Sequence, residues 1–194
     1  MNSICVFCGS SLGNDPVYKQ MAQLTGQTIA AQGKTLVYGG GRSGLMGVVA
    51  DSALQAGGRV IGVIPHALAD RELAHTGLTE LHMVNNMHER KTKMAELSDA
   101  FVALPGGAGT LEEIFEQWTW SQLGIHQKPC GFLNVDGFYD DLIKMLQGSV
   151  GRGFTQARFV EKLIVSQDME AILAAFSAYQ PVVPKWTSSN EIQA

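Results

Sequence analysis

Ala100-Phe101-Val102-Ala103-Leu104 runs directly into Pro105-Gly106-Gly107-Ala108-Gly109, and Thr110-Leu111-Glu112-Glu113 follows. The first five residues are apolar without alternation, the pattern of a short strand covered on both faces. Pro105 and the glycines break it, and Leu111–Leu123, rich in Glu and Trp, predicts a helix. Strand, glycine turn and helix make half of a βαβ unit. In such units ligands meet the chain beyond the carboxyl end of the strand.

The same order appears upstream. Thr35–Tyr38 is a second such strand, entering Gly39-Gly40-Gly41, and Leu45–Ala56 is a helix closed by Gly57-Gly58. Working outward, Ile4–Cys8 opens the series. Asp15 is an N-cap and Pro16 a first-turn residue for a helix that runs to about Gln32 and stops at Gly33. Arg59–Ile64 and Glu80–Val84 are strands on either side of an irregular stretch, 66–79. Asn86–Leu97 is a charged helix, Gly131–Val135 a strand, Phe138–Leu146 a helix, Lys162–Val165 the last strand and Asp168–Phe176 the last helix. Right-handed crossovers turn this alternation into a doubly wound, mostly parallel sheet, a three-layer α/β/α fold of the Rossmann-like kind. One domain over 1–180 is expected, with 181–194, rich in polar residues and carrying two prolines, as a flexible C-terminal tail.

Bulk properties narrow the function. The chain has 194 residues, 45% of them hydrophobic, which suits one sizeable core. A net charge of −4 with both signs scattered argues against nucleic-acid binding. It leaves small anions open, because backbone dipoles can hold a phosphate on an acidic protein. No apolar run reaches the roughly 18 residues of a membrane span, and no basic stretch and cleavage site precede the first strand, so a cytoplasmic location is expected. Cys5, Cys8 and Cys130 give no disulfide framework. The Cys5/Cys8 spacing within a strand points the two thiols to opposite faces, the pattern of buried structural cysteines. The five histidines have no metal-ligand spacing, so no metal site is expected.

Three elements carry chemistry. Gly39, Gly41 and Gly44 fit G-x-G-x-x-G, yet the residues ending the next strand, Ile64-Pro65-His66, lack the acid that a dinucleotide site uses for the ribose. The loop also fits a tight turn for helix–strand packing. The second loop, Gly106-Gly107-Ala108-Gly109, is an anion nest before a helix start. Thr110 adds a hydroxyl. Glu113 reads either as the closing residue of a Thr-x-x-Glu capping box or as a carboxylate poised beside a bound sugar. The third element is Arg90-Lys91, two cations that suit either a phosphate or a solvated helix face.

Pro105–Glu113 as P-G-G-x-G-T-x-x-E, together with Gly39–Gly47, Arg90-Lys91 and the opening Cys5-Val6-Phe7-Cys8-Gly9-Ser10-Ser11, resembles the "Lonely Guy" family of cytokinin riboside 5′-monophosphate phosphoribohydrolases. Many of its members have carried the label "lysine decarboxylase". The resemblance runs from Cys5 to about Phe176. It implies hydrolysis of the N-glycosidic bond of AMP or N6-substituted AMP to free base and ribose 5-phosphate, with Arg90 and Glu113 as the catalytic pair. It implies substrate contacts at Lys91, at the loop residues Gly106, Gly107, Ala108 and Gly109, and at Thr110, Leu111 and Glu112. Glu72 and Thr119 are further implied contacts, and Gly40, Gly41 and Gly44 complete the expected phosphate environment. The resemblance also implies a homodimer with sites near the subunit interface, and neither metal nor organic cofactor. The rival readings are a non-catalytic nucleotide-binding carrier or sensor, and a pyridoxal-phosphate lysine decarboxylase.

Overall fold

The computed structural model describes residues 1–70 and 73–185. Seven strands form one parallel sheet: β1 (Ser3–Phe7), β2 (Thr35–Tyr38), β3 (Val60–Pro65), β4 (Glu80–Val84), β5 (Ala100–Ala103), β6 (Cys130–Leu133) and β7 (Ile164–Ser166). Their order is β4-β3-β2-β1-β5-β6-β7. The chain therefore winds outward from β1 to β4, crosses back, and winds outward again from β5 to β7. β1 and β5 pair in register from Ile4↔Ala100 to Phe7↔Ala103. The winding reverses between them, and beyond their carboxyl ends lies the crevice in which folds of this kind hold their ligands.

Helices cover both faces. One core layer joins the sheet to α1 (Pro16–Ala31), α2 (Gly44–Gln55) and α8 (Met169–Ser177), through Ile29, Val49 and Leu173 among others. The other joins it to α4 (Met87–Glu96), α5 (Ala108–Leu123), α6 (Asp140–Gly151) and α7 (Ala157–Val160), with Met94, Ile114, Leu146 and Phe159 inside. Cys8 belongs to the first layer and Cys5 to the second, so the two thiols face opposite ways as the strand spacing predicts. Both are buried and free, as is Cys130. No helix among the described residues is long and apolar enough to cross a membrane.

Local signals explain most element ends. Asp15 caps α1 by accepting from the Val17 amide at 2.9 Å, with Pro16 in the first turn. Asn86 caps α4 by accepting from the Glu89 amide, and the Glu89 carboxylate reaches back to the Asn85 amide, both at 2.9 Å. This reciprocal capping is the arrangement that Thr110 and Glu113 suggest by their spacing, but it is built at α4 instead. The Asn85 contacts also hold the Glu89 carboxyl below its ordinary pKa.

Several details differ from the sequence expectation. The described part of the irregular stretch includes a short helix, α3 (His66–Ala69). Asp136 takes a left-handed φ of 49° inside a 3-10 turn at Val135–Gly137, which delays α6 to Asp140. α7 is a further helix of a single turn, too short to show a periodic pattern. Residues 181–185 of the expected loose tail are fastened, with Val182 packed on the core and the Lys185 amide donating to the Gln122 carbonyl at 2.8 Å.

Candidate active site

A cleft of about 320 Å³ opens beyond the carboxyl ends of β1 and β5. Its floor is Phe7, Cys8 and Gly9, at the end of β1; one wall is the start of α5, and the other carries Gly39, Met46, Leu68, Met87 and Arg90. The two loops at the crevice are stitched together. The Gly9 amide donates to the Pro105 carbonyl at 3.1 Å, and Tyr139 Oη donates to the Leu104 carbonyl at 2.6 Å. A second cavity, also about 320 Å³, shares Gly9, Ser10 and Gly107 with the first and is walled by Leu12, Tyr18 and Phe138.

α5 starts earlier than the amphipathic pattern suggests. Gly107 is its N-cap, without a side-chain cap, and Leu111 makes the first i→i−4 bond back to the Gly107 carbonyl at 3.2 Å. The first-turn amides before Leu111 have no carbonyl of the helix to meet and aim at the cleft with the positive end of the helix dipole. Thr110 is thereby the third residue of the helix and Glu113 lies one turn beyond it, so the capping-box reading of Glu113 is excluded. The Glu113 side chain lines the cleft instead.

Glycines at this turn serve two ends. A Cβ on Gly106 would lie 2.2 Å from Thr110 Oγ1 and 2.9 Å from the Gly9 amide, so Gly106 is fixed by packing. A Cβ on Gly107 or Gly109 would meet nothing within 4 Å beyond its chain neighbours and the adjoining helix backbone, and neither residue has a left-handed φ. Their bare backbone faces open cleft, which gives an anion room to reach the amides.

Arg90 enters from the opposite wall. It is 4% exposed, and its guanidinium is held by the Val63 carbonyl on Nε at 3.1 Å and the Gly39 carbonyl on Nη2 at 2.9 Å. A Cβ on Gly39 would stand 2.1 Å from that Nη2, so any side chain there would push the guanidinium from this position. Arg90 and Glu113 line the same cleft. Cys8 is no nucleophile in this setting: burial, then the Glu113 carboxylate, push its thiol well above the ordinary range.

Lys91 points elsewhere. It is buried on the flank of α4, does not line the cleft, and donates to Glu112 Oε1 at 2.5 Å and Glu116 Oε1 at 3.0 Å. Burial works against its charge, but the two carboxylates outweigh burial and leave its pKa above the ordinary lysine value.

The first glycine loop also turns away. Gly40 has a φ of +79° and sits against Ile64, Leu81 and Val63; Gly44 has a φ of +55°, and a Cβ on it would lie 2.3 Å from the Ser10 carbonyl carbon. Gly41 pairs with Ala74, the Arg42 amide donates to the Leu73 carbonyl, and the His75 amide donates to the Gly40 carbonyl. His75 anchors this strap. The Gly77 amide donates to its Nδ1 at 3.0 Å, so Nε2 carries the proton that Asp51 Oδ1 accepts at 2.8 Å.

Of the expected site residues, the structure gathers Arg90, Gly107, Ala108, Gly109, Thr110, Glu112 and Glu113 around one cleft, with Gly106 in the adjoining cavity. It does not bring Lys91, Gly40, Gly41 or Gly44 to the cleft wall. Leu111 packs into the core, and Thr119 is exposed far along α5. Glu72 lies outside the described residues. Sequence reasoning missed Ser10, Met46, Leu68 and Met87. Ser10 and Met46 had a signal, since Gly9-Ser10-Ser11 follows the first strand and Met46 lies within Gly39–Gly47; Leu68 and Met87 join them only through the fold.

Residues 46–176 match the family model described as "Possible lysine decarboxylase". The cytokinin riboside 5′-monophosphate phosphoribohydrolase of Rhodococcoides fascians is 49% identical over 174 residues, 89% of this chain and 88% of that protein. The chain belongs to this family. A probable enzyme of the same name from Oryza sativa subsp. japonica is 46% identical over 193 residues, covering 96% of this chain and 86% of that one. Among solved structures, the molybdenum cofactor carrier protein of Chlamydomonas reinhardtii shares the fold at a TM-score of 0.67 and 22% identity, covering 91% of this chain and 96% of the other.

Proposed function

We propose that the cleft binds an adenine-type nucleoside 5′-monophosphate and adds water across its N-glycosidic bond, releasing free base and ribose 5-phosphate. The observation that carries this reading is the pairing of bare first-turn amides at Gly107 and Gly109 with Glu113 and Arg90 in one cleft. The relatives at 46–49% identity, named for the same reaction, support it.

The 5′-phosphate sits on the α5 amides, and that remote binding energy fixes the ribose. Bond cleavage builds positive charge on the sugar. The Glu113 carboxylate stabilises that charge or accepts a proton from the attacking water. Arg90, preset by two carbonyls, orients the nucleotide and offsets charge as the base leaves. Met46, Leu68 and Met87 supply an adaptable apolar wall that suits a base with an apolar N6 substituent. The enzyme acts in the cytoplasm as a homodimer, in line with the family resemblance. Light scattering on the purified chain tests the assembly, and a monomer at micromolar concentration would sink that part.

The label "lysine decarboxylase" finds no support in Lys91. A Schiff-base lysine must give up its proton readily, and two carboxylates hold this one charged. The test is chromatography of the protein incubated with AMP and with N6-isopentenyl-AMP. Free base and ribose 5-phosphate, formed without added pyridoxal phosphate and lost in Glu113→Gln, are expected. Binding of either nucleotide without release would instead favour a carrier or sensor.

A further inference from the structure

Arg90 and Glu113, the pair on which the proposed hydrolysis rests, have sequence neighbours that meet each other at the edge of the cleft, which Glu112 lines and Lys91 does not. Lys91 follows Arg90 on α4, and Glu112 precedes Glu113 on α5. The Lys91 ammonium is 2.5 Å from Glu112 Oε1 and 3.0 Å from Glu116 Oε1. Glu112 and Glu116 are one turn apart, so they share a face of α5. Successive helical residues are about 100° apart around the axis. Arg90 can therefore face the cleft while Lys91 faces α5.

We infer that Lys91 is a positioning residue, an ionic rivet between α4 and α5 that sets Arg90 against Glu113, and not a ligand of the phosphate. Three observations carry this. Its side chain is 8% exposed and lies off the cleft wall. Its charge is already met twice over: one lysine against two glutamates leaves the trio at −1, a poor seat for a phosphate dianion. Glu116 depends on it in turn, because Glu116 Oε2 is buried with no hydrogen-bond partner among the described residues. Removing the lysine would leave a partly buried carboxylate uncompensated, and α5 would have to shift or take up a proton.

The test compares Lys91→Met, Lys91→Arg, Glu116→Gln and the Lys91→Met/Glu116→Gln double variant with the wild type. Base release gives kcat and KM, inhibition by ribose 5-phosphate gives its Ki, and a melting curve reports folding. A positioning role predicts a fall of kcat of about tenfold in Lys91→Met, since small misplacements of reacting groups are costly, with Ki for ribose 5-phosphate kept within about twofold. Glu116→Gln should lower kcat in the same direction, Lys91→Arg should retain most activity, and the double variant should be no slower than Lys91→Met alone, because the two changes break one link. A tenfold rise in Ki with kcat intact would overturn the inference and put Lys91 on the phosphate. Multiplied losses in the double variant, or normal kcat in Glu116→Gln, would also overturn it. If Lys91→Met does not fold, Glu116→Gln and Lys91→Arg still decide. A wild-type protein that releases no base removes the proposed function, and this inference with it; release by the wild type with the wrong pattern among variants removes the inference alone.

Discussion

The two glycine loops look alike in sequence and differ in what their glycines face. In the first, Gly40 and Gly44 take left-handed φ values and abut other parts of the protein: β3 and Leu81 for Gly40, the backbone of Ser10 and Ser11 for Gly44. Its one glycine on the cleft wall, Gly39, makes way for Arg90. In the second, Gly107 and Gly109 abut nothing and open onto the cleft. The lesson is that a glycine required by the protein's own backbone and a glycine required by a ligand are separated by what a side chain would strike. The first loop builds the wall, and the second receives the nucleotide.

The largest effect tests whether the second loop delivers substrate to chemistry. Glu113→Gln keeps size and shape and removes the charge one turn beyond the loop. Loss of a group that acts on the proton or on the developing charge costs about a thousandfold, so kcat should fall at least that far with an unchanged circular-dichroism spectrum. Turnover near that of the wild type would break the link between loop and reaction.

Gly44→Ala asks the opposite question of the first loop. The new methyl would have to displace the Ser10 and Ser11 backbone in a residue already at positive φ. Overpacking and strain of this kind cost about 3 kcal/mol, and denaturant unfolding should register it as a lower midpoint. A stability equal to that of the wild type would mean that the loop yields, and that its glycines are not held by packing.

Gly109→Ala completes the contrast with a smaller effect. Alanine is the better helix former by up to about 1 kcal/mol, and its methyl meets nothing beyond its own stretch of helix. The unfolding midpoint should therefore hold or rise. Bound phosphate should be crowded, raising KM and the Ki for ribose 5-phosphate about tenfold, or 1.4 kcal/mol. Falling stability with unchanged KM would erase the distinction between the loops.

This distinction marks how far the sequence could be read. The strands were legible because both faces of the sheet are covered, which leaves unbroken apolar runs such as Val60–Ile64. The second loop was legible because glycines between a strand and a helix restrict the physics to few outcomes. Lys91 was not: adjacent cations look equivalent in one dimension, and only the helix turn sends Arg90 to the cleft and Lys91 to Glu112 and Glu116. The Thr-x-x-Glu spacing was ambiguous because Gly107 can begin the helix with no capping side chain, and in the fold it does so three residues before Thr110. Met46, Leu68 and Met87 come from three separate helices, so no local pattern could join them.

Ser10 is where the loops touch, and it gives the finest test. Its backbone is the surface that Gly44 must clear, while the residue itself is exposed and lines the cleft. Ser10→Ala removes one hydroxyl and leaves the backbone contact in place. A neutral hydrogen bond contributes about 1 kcal/mol, so KM for the nucleotide should rise about fivefold while the unfolding midpoint stays put. A lower midpoint would mean that the hydroxyl serves the packing side of the contact. Unchanged KM with unchanged stability would confine the phosphate to the α5 amides and leave Ser10 as wall alone.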